Sequence, residues 1–293
     1  MAIFTPADQL RNLHIISGDL WAGAEAQAFT LLQQLNKFLT LQVIVLNPGQ
    51  LASRLIEEGI DTLIMDESIE SSVSIFYRIR RQIRTFRPHV VHTHRTKENI
   101  LGAIANATTI RTVCVRTAHG AAEFKGSFKT KVLRTLDEFT ATYLQDKVIA
   151  VSNDLAEQLK ARLKPSKIQT IYNGVNIETL SAAGAEILEL DADKTHIGII
   201  GRLTPVKRVD IFLEMAAQLV KTKDRQYQFH IIGNGPLLPD LKSFVESNAL
   251  EKHVFFHGHC ENPAKYIKNL DLVVMCSDHE GTPMVALETL ALG

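Results

Sequence analysis

Short runs of apolar and β-branched residues alternate along the chain with segments of helical periodicity. The first runs are LHIIS from Leu13 and QVIVL from Gln42. Between them, GAEAQAFTLLQQLNKFL repeats its apolar residues every three or four positions, which is typical of an amphipathic helix. Further predicted strands are TLIM from Thr62, HVVHTH from His89, TVCVRT from Thr112, KVIAVS from Lys147 and IQTIY from Ile168. Strands separated by helices at this spacing predict a parallel, doubly wound α/β sheet.

The same alternation restarts after a break rich in Asn, Gly, Ser and Ala near residues 173–190. The strands predicted there are THIGIIG, QFHIIG, HVFFHG and DLVVMCS, with helices from about Val209, from about Leu237 and near Ala264. We therefore predict two Rossmann-like domains, residues 1–175 and residues 176–293.

Composition narrows the functional classes. The 293 residues are 45% hydrophobic and 22% charged, as expected for a globular protein with a substantial core. Lys plus Arg and Asp plus Glu both number 32, so no overall field favours a nucleic-acid partner. Three scattered cysteines predict no disulfide framework. The start of the sequence shows no basic region followed by an apolar run and a cleavage site, and no segment has the roughly 18 apolar residues that a spanning helix needs. These features predict a cytoplasmic protein.

In parallel sheets, ligands bind beyond the carboxyl ends of the strands. The first strand leads into SGDLWAGAEAQ, where Gly23 precedes a helix predicted to begin near Ala24. A helix start suits a phosphate or a sugar hydroxyl, although Glu25 is equally compatible with an ordinary strand-to-helix turn. The dinucleotide fingerprint G-x-G-x-x-G is absent here, which argues against a dinucleotide-dependent oxidoreductase.

GRLTPVKR follows the first strand of the second domain. Arg202 and Lys207 lie five residues apart, ahead of a helix, so together they can straddle a diphosphate. The alternative is a solvated loop that carries two surface cations.

The stretch HEGTPMVALETLALG follows the last predicted strand. Pro283 suits the first turn of a helix, because its missing N–H would be unpaired there in any case. We expect the N–H groups near Thr282, Met284 and Val285 to point toward the GRLTPVKR loop. Glu280 and Glu288 can then accept hydrogen bonds from vicinal hydroxyls on either side of a phosphate. The pattern predicts a cradle for a nucleotide sugar.

Together, GRLTPVK, IIGNGPLLPDL, VIAVSNDL, YNGVN and the stretch from HGHCENP to the last residue resemble glycosyltransferase family 4, whose members are retaining enzymes of the GT-B fold. The resemblance implies two Rossmann-like domains that face a cleft, with the acceptor on the first and the nucleotide diphosphate sugar on the second. It also implies transfer to an acceptor hydroxyl with retention, and no metal or other cofactor.

The resemblance also implies individual roles. Arg202 and Lys207 match the residues that bind the pyrophosphate, Glu288 the residue that holds the ribose hydroxyls, and Glu280 a residue near the donor sugar. His119, in RTAHG after the fifth strand, matches a histidine of the cleft that contacts the donor sugar.

Gly23 matches the amino-terminal glycine loop of the family. Family members have a second glycine where this chain has Ala24, so the geometry of that loop is open. The other histidines have a structural or a metal-binding interpretation. His92 and His94 share a predicted strand face, and a second group crowds residues 253–260, but neither spacing matches a known zinc pattern. DADK lies before a strand rather than after one, so we predict a solvated turn and no metal ligand.

Two basic runs, FYRIRRQIRTFRP and FKGSFKTKVLR, are compatible with a solvated helix face or with anionic lipid. Because many acceptors in the family are saccharides or lipid-linked saccharides, peripheral contact with the inner face of the cell membrane is an open alternative. By the same resemblance, the pathway is bacterial surface polysaccharide or lipopolysaccharide synthesis.

Members of the family continue beyond the position of ETLALG with a further strand and helices. The second domain is therefore expected to be incomplete. A second hypothesis follows, that the chain is a truncated, non-catalytic fragment that binds nucleotide or a partner.

Overall fold

The computed structural model describes residues 10–120, 128–185, 188–222 and 225–293. The chain divides into two compact units, Met1–Gly174 and Val175–Gly293.

The first unit is built on a seven-stranded sheet within the described residues. Its strands are β1 (Arg11–Ile16), β2 (Thr40–Val45), β3 (Asp61–Ile64), β4 (Val90–Thr93), β5 (Val113–Ala118), β6 (Lys147–Ala150) and β7 (Ile168–Thr170). Its helices are α1 (Gly23–Leu35), α2 (Gln50–Glu57), α3 (Ser72–Phe86), α4 (Thr96–Ala107), α5 (Phe128–Phe139) and α6 (Asn153–Lys160). A π-helical turn at Thr140–Leu144 follows α5.

All strand pairs of this sheet are parallel, in the order β3-β2-β1-β4-β5-β6-β7. Strands β1 and β4, near the middle of the sheet, are almost entirely buried. Ile15 in β1 lies beside Ile44 of β2 and Thr93 of β4. Helices cover both faces, as the continuous apolar character of the strands requires. The doubly wound prediction is therefore confirmed.

The second unit contains a four-stranded parallel sheet of order β10-β9-β8-β11 within the described residues. The strands are β8 (Thr195–Ile200), β9 (Tyr227–Ile232), β10 (Val254–Gly258) and β11 (Leu272–Val273). The helices are α7 (Ile177–Ala183), α8 (Val209–Thr222), α9 (Leu238–Ser247), α10 (Ala264–Asn269) and α11 (Met284–Leu292). Its core centres on Phe212 and Phe229, both fully buried and in edge-to-face contact.

Three boundaries differ from the sequence prediction. DLVVMCS predicted a full strand, but only Leu272 and Val273 pair with β8. Pro283 lies at the N-cap of α11 instead of in its first turn, because its ψ of 126° is extended and the helix begins at Met284. Helix α1 begins at Gly23, one residue before the predicted start.

Helix α3 shows how the first basic run is accommodated. Ile75, Ile79 and Ile83 are fully buried along one face, while the arginines lie on the other faces of the helix. The second basic run is described only from residue 128, so its residues 124–127 lie outside the described residues. In the part of the chain that the structure describes, no helix has both the length and the apolar character needed to cross a bilayer.

Candidate functional site

Each sheet has a position where the strand order reverses. The reversal falls between β1 and β4 in the first unit and between β8 and β11 in the second. Loops diverge at such a point and leave a crevice beyond the carboxyl ends of the two strands, which is where ligands bind in open parallel sheets. The predicted site residues follow β1, β5, β8 and β11, so they lie beyond the carboxyl ends of strands.

In the second unit, a shallow pocket lies at this reversal. Gly201, Arg202 and Lys207 line it from the β8 side, and residues 274–277 line it from the β11 side. The two predicted phosphate-binding cations therefore share one pocket. Arg202 is exposed, and its guanidinium has no hydrogen-bond or ion-pair partner among the described residues.

Lys207 forms an ion pair with Glu280. The ammonium Nζ lies 2.5 Å from Oε1 of Glu280, and both side chains are about one-quarter exposed. An ammonium has three N–H donors, so Lys207 retains donors for a second anion. The structure thus brings together two residues that are 73 positions apart and that the sequence placed in one site.

Additional contacts join the loop after β11 to the loop after β8. The N–H of Asp278 donates to the carbonyl of Val206 at 2.9 Å, and Arg208 contacts Asp278 at 3.2 Å. Arg208 also donates to Asp210, and this hydrogen bond lowers the pKa of that carboxyl. Sequence reasoning missed Arg208 and Asp278 as positioning residues. In the sequence, the only indication of their role was their charge and their position close to the predicted site residues Lys207 and Glu280.

The loop after β9 supports the pocket from below. The backbone N–H of Gly201 donates to the carbonyl of Ile232, and that of Leu203 donates to the carbonyl of Asn234. Gly233 has a φ of 146°, and a Cβ there would lie 1.9 Å from the Gly201 carbonyl oxygen. This close approach requires glycine and explains the IIGNG stretch physically.

The predicted residues on the last helix remain less defined. Thr282, Pro283, Met284, Val285 and Glu288 are absent from the described lining of the pocket. No side chain caps the start of α11, and the Met284 side chain is buried, so its backbone N–H is the group that can serve a ligand. Burial raises the pKa of Glu288, whose carboxylate has no partner among the described residues. These assignments stay predictions.

In the first unit, a cluster of charges with two buried glutamates lies at the reversal between β1 and β4. Arg95, at the N-cap of α4, pairs with Asp19 at 2.9 Å and with the buried Glu25 of α1. Glu98 is 1% exposed, and neither of its carboxylate oxygens has a hydrogen-bond partner among the described residues. Burial is the main cause that raises the pKa of Glu98 to about 7. In the sequence, this cluster was indicated only by the charged residues of HTHRTKEN, which directly follow a predicted strand.

His119 follows β5 and is partly exposed. Its Nε2 lies 3.1 Å from Nδ1 of His94, and burial lowers the pKa of His119 to about 4. His94 is 4% exposed, and its other nitrogen is hydrogen-bonded to His14.

Three histidine side chains that could ligate a metal ion lie close together in the first unit. One nitrogen from each of His14, His92 and His94 falls within 4.8 Å of the other two, and within the described residues no other such group occurs. In the second unit, His257 is hydrogen-bonded to His230 at 2.9 Å, so the histidine-rich stretch at 253–260 takes part in a separate chain of rings.

Two successive Rossmann-like units of this kind define the GT-B class of glycosyltransferase folds. The structure aligns with HepE (Alr3699) of Anabaena, solved in complex with UDP, with a TM-score of 0.80 and 18% identity over 97% of this chain and 79% of that one. The family model Glycosyltransferase Family 4 matches residues 21–179, and the model Glycosyl transferases group 1 matches residues 184–293. The chain belongs to glycosyltransferase family 4.

Two curated relatives share parts of the sequence. The poly(ribitol-phosphate) alpha-N-acetylglucosaminyltransferase of Staphylococcus aureus (strain COL) is 35% identical over 94 residues, 32% of this chain and 19% of that enzyme. The UDP-Gal:alpha-D-GlcNAc-diphosphoundecaprenol alpha-1,3-galactosyltransferase of Escherichia coli is 28% identical over 243 residues, 79% of this chain. The chain spans 61% of that enzyme's length.

Proposed function

We propose that the chain binds a nucleoside diphosphate sugar in its second unit and transfers the sugar to an acceptor hydroxyl with retention at the anomeric carbon. The observation that carries this proposal is the pocket at the reversal between β8 and β11. Arg202 reaches it with an unpaired guanidinium, and Lys207 reaches it with spare N–H donors. Two cations that converge on one pocket are suited to a diphosphate and to the charge that develops on it as the sugar departs.

The two glutamates take different parts in this proposal. Glu280 is held beside the diphosphate through Lys207, so its free oxygen is available to a hydroxyl of the donor sugar. Glu288 is a half-buried carboxylate without a partner among the described residues, which suits the ribose hydroxyls. The uncapped start of α11 offers N–H groups to the phosphates. Because Arg202, Lys207 and the N–H groups at the start of α11 supply positive charge, the proposed reaction needs no metal.

The donor nucleotide is proposed to be UDP. HepE was solved with UDP and with UDP-glucose, and the relative from Escherichia coli carries UDP-Gal in its name. That relative also names a diphosphoundecaprenol-linked acceptor. By analogy, we propose a saccharide or lipid-linked saccharide acceptor bound by the first unit, in bacterial surface polysaccharide or lipopolysaccharide synthesis.

Peripheral membrane contact is part of the proposal. The exposed side chains Val132, Leu136, Phe139 and Tyr143 recur along α5 and the turn that follows it, with exposed Lys131 and Arg134 nearby. An apolar stripe beside cations suits the interface of an anionic bilayer.

The test is nucleotide-sugar binding by the whole chain. A thermal-shift panel of UDP-, GDP- and ADP-sugars should show selective stabilisation by the UDP-sugars, because a ligand at 100 times its Kd stabilises a folded protein by about 2.7 kcal/mol. Titration calorimetry should then show that Arg202→Met and Lys207→Met each weaken binding by about 10-fold to 100-fold, the value of one charge-assisted hydrogen bond.

Lys221→Met is the matched control, because Lys221 lies on the exposed last turn of α8. It should bind like the unchanged chain. Equal affinity in all three variants, or no stabilisation by any nucleoside diphosphate sugar, would refute the proposed donor site. Release of UDP without acceptor, and the anomeric configuration of the product with acceptor, then report turnover and retention separately.

A further inference from the structure

A row of hydrogen-bonded histidines connects the core of the first unit to His119. Nδ1 of His14 lies 3.1 Å from Nε2 of His94, and Nδ1 of His94 lies 3.1 Å from Nε2 of His119. His14, in β1, is fully buried, and His94, directly after β4, is 4% exposed. His119 is partly exposed. The row therefore runs from the sheet interior to the surface at the carboxyl ends of the strands.

All three rings are neutral at physiological pH. Burial is the largest cause that lowers the pKa of each, and for His119 the charge of Arg95 lowers it further. A neutral imidazole carries one N–H donor and one acceptor nitrogen. His94 bonds through both nitrogens, so it must donate to one neighbour and accept from the other. The protons of the row can then be arranged in only two ways, which run in opposite directions.

The free end of the row distinguishes the two arrangements. Nε2 of His14 is buried and has no hydrogen-bond partner among the described residues. If the protons pointed toward His14, this nitrogen would be a buried N–H without an acceptor. In the opposite arrangement it is an acceptor without a donor, and among buried backbone groups an orphaned N–H is rarer than an under-satisfied acceptor. The same preference favours the arrangement in which the protons point from His14 through His94 to His119.

We propose that His94, which is hydrogen-bonded to His14, is a positioning residue that keeps the proton of His119 on Nδ1, so that His119 meets its ligand as an N–H donor. In this arrangement Nε2 of His119 accepts from Nδ1 of His94. The ring is fixed in both orientation and tautomer before any ligand binds. This inference rests on the proposed function only for the identity of that ligand, a sugar oxygen of the donor.

Ring geometry argues against a shared metal ion as the reason for the cluster. The rings of His92 and His94 are stacked, with centroids 4.7 Å apart and planes inclined by 7°. A histidine lone pair lies in the plane of its ring, and two separate parallel planes do not meet at one ion. His92 instead uses its Nε2 in a 2.8 Å hydrogen bond with Thr117.

Nitrogen-15 NMR of the histidine-labelled chain tests the proposal directly. In the ligand-free protein at pH 7, His119 should show a protonated Nδ1 and an unprotonated Nε2, assigned with a His119→Asn variant. His94→Leu should turn His119 into a mixture of tautomers, because the donor to its Nε2 is lost. His94→Asn should restore the single tautomer, since its amide N–H can replace Nδ1–H of His94. His89→Asn, at an exposed site before β4, is the control and should change nothing.

Kinetics give a second measurement. His94→Leu should lower kcat at least about tenfold with little change in KM, and His94→Asn should recover most of the loss. A wild-type spectrum with the proton of His119 on Nε2, an unchanged tautomer in His94→Leu, or stoichiometric Zn²⁺ bound by the histidines would overturn the proposal. If the tautomer of His119 behaves as expected but no UDP-sugar binds, the proposed function fails while the inference about the row of histidines is supported.

Discussion

Glu98 offers a quantitative test of the buried charge cluster in the first unit. Its carboxyl is 1% exposed, without a hydrogen-bond partner among the described residues, and its pKa is raised from 4.5 to about 7. Burial is the main cause, Asp19 and Glu25 raise the pKa further, and Arg95 opposes them. The folded state therefore favours protonated Glu98, whereas the unfolded chain ionises it near the ordinary value.

The sign of the pH dependence follows from this difference. A raised folded pKa gives stability that is fully present below about pH 4.5 and is lost as pH rises through about 7. At about 1.4 kcal/mol for each pH unit between the two values, the loss is about 3 kcal/mol. Glu98→Gln cannot ionise at this position. The unfolding free energy of the variant minus that of the unchanged chain should therefore increase by about 2–3 kcal/mol between pH 5 and pH 8.

Urea unfolding of both proteins at pH 5, 6, 7 and 8 measures this gain. Glu57→Gln is the control, because Glu57 is exposed at the end of α2 and should give no pH-dependent gain. A constant difference between Glu98→Gln and the unchanged chain across the four pH values would show that Glu98 ionises normally, and the burial argument would fail. A carboxyl whose pKa is raised by burial is typical of functional sites.

Two further outcomes are expected. Gly233→Ala should lower the unfolding free energy by more than about 2 kcal/mol, because its Cβ would meet the Gly201 carbonyl. Gly258→Ala has open space around its Cβ and should lower it by about 1 kcal/mol, for its positive φ alone. Equal losses in chemical denaturation would contradict the packing argument. Phe139→Ser with Tyr143→Ser should weaken binding to anionic vesicles in co-sedimentation at least about 25-fold, since each exposed aromatic contributes at least about 1 kcal/mol of apolar burial in the interface. The exposed Ile69 gives the matched control Ile69→Ser, and equal binding by both variants would remove α5 from the membrane proposal.

The alternation of apolar runs was enough to predict the fold class. Each predicted strand corresponds to a strand of the structure. For the buried strands β1, β2 and β4 the reason is that a strand buried on both faces needs a continuous apolar run, which can be read locally. The loops that carry Arg202, Lys207 and Glu280 were also predictable, since ligands in such sheets lie beyond the carboxyl ends of strands. The length of β11 was not, because strand pairing depends on a neighbour that the local pattern does not include.

The sequence by itself determined which residue types follow which strands, and with them the family and the predicted donor site. Only the tertiary structure decided the partners. Sheet register places His14 of β1 opposite His92 of β4, and Lys207 meets Glu280 across 73 positions. These contacts arise because strands distant in sequence become neighbours in the sheet, so hydrogen bonds that set a tautomer or hold a cation form only after the sheet is assembled.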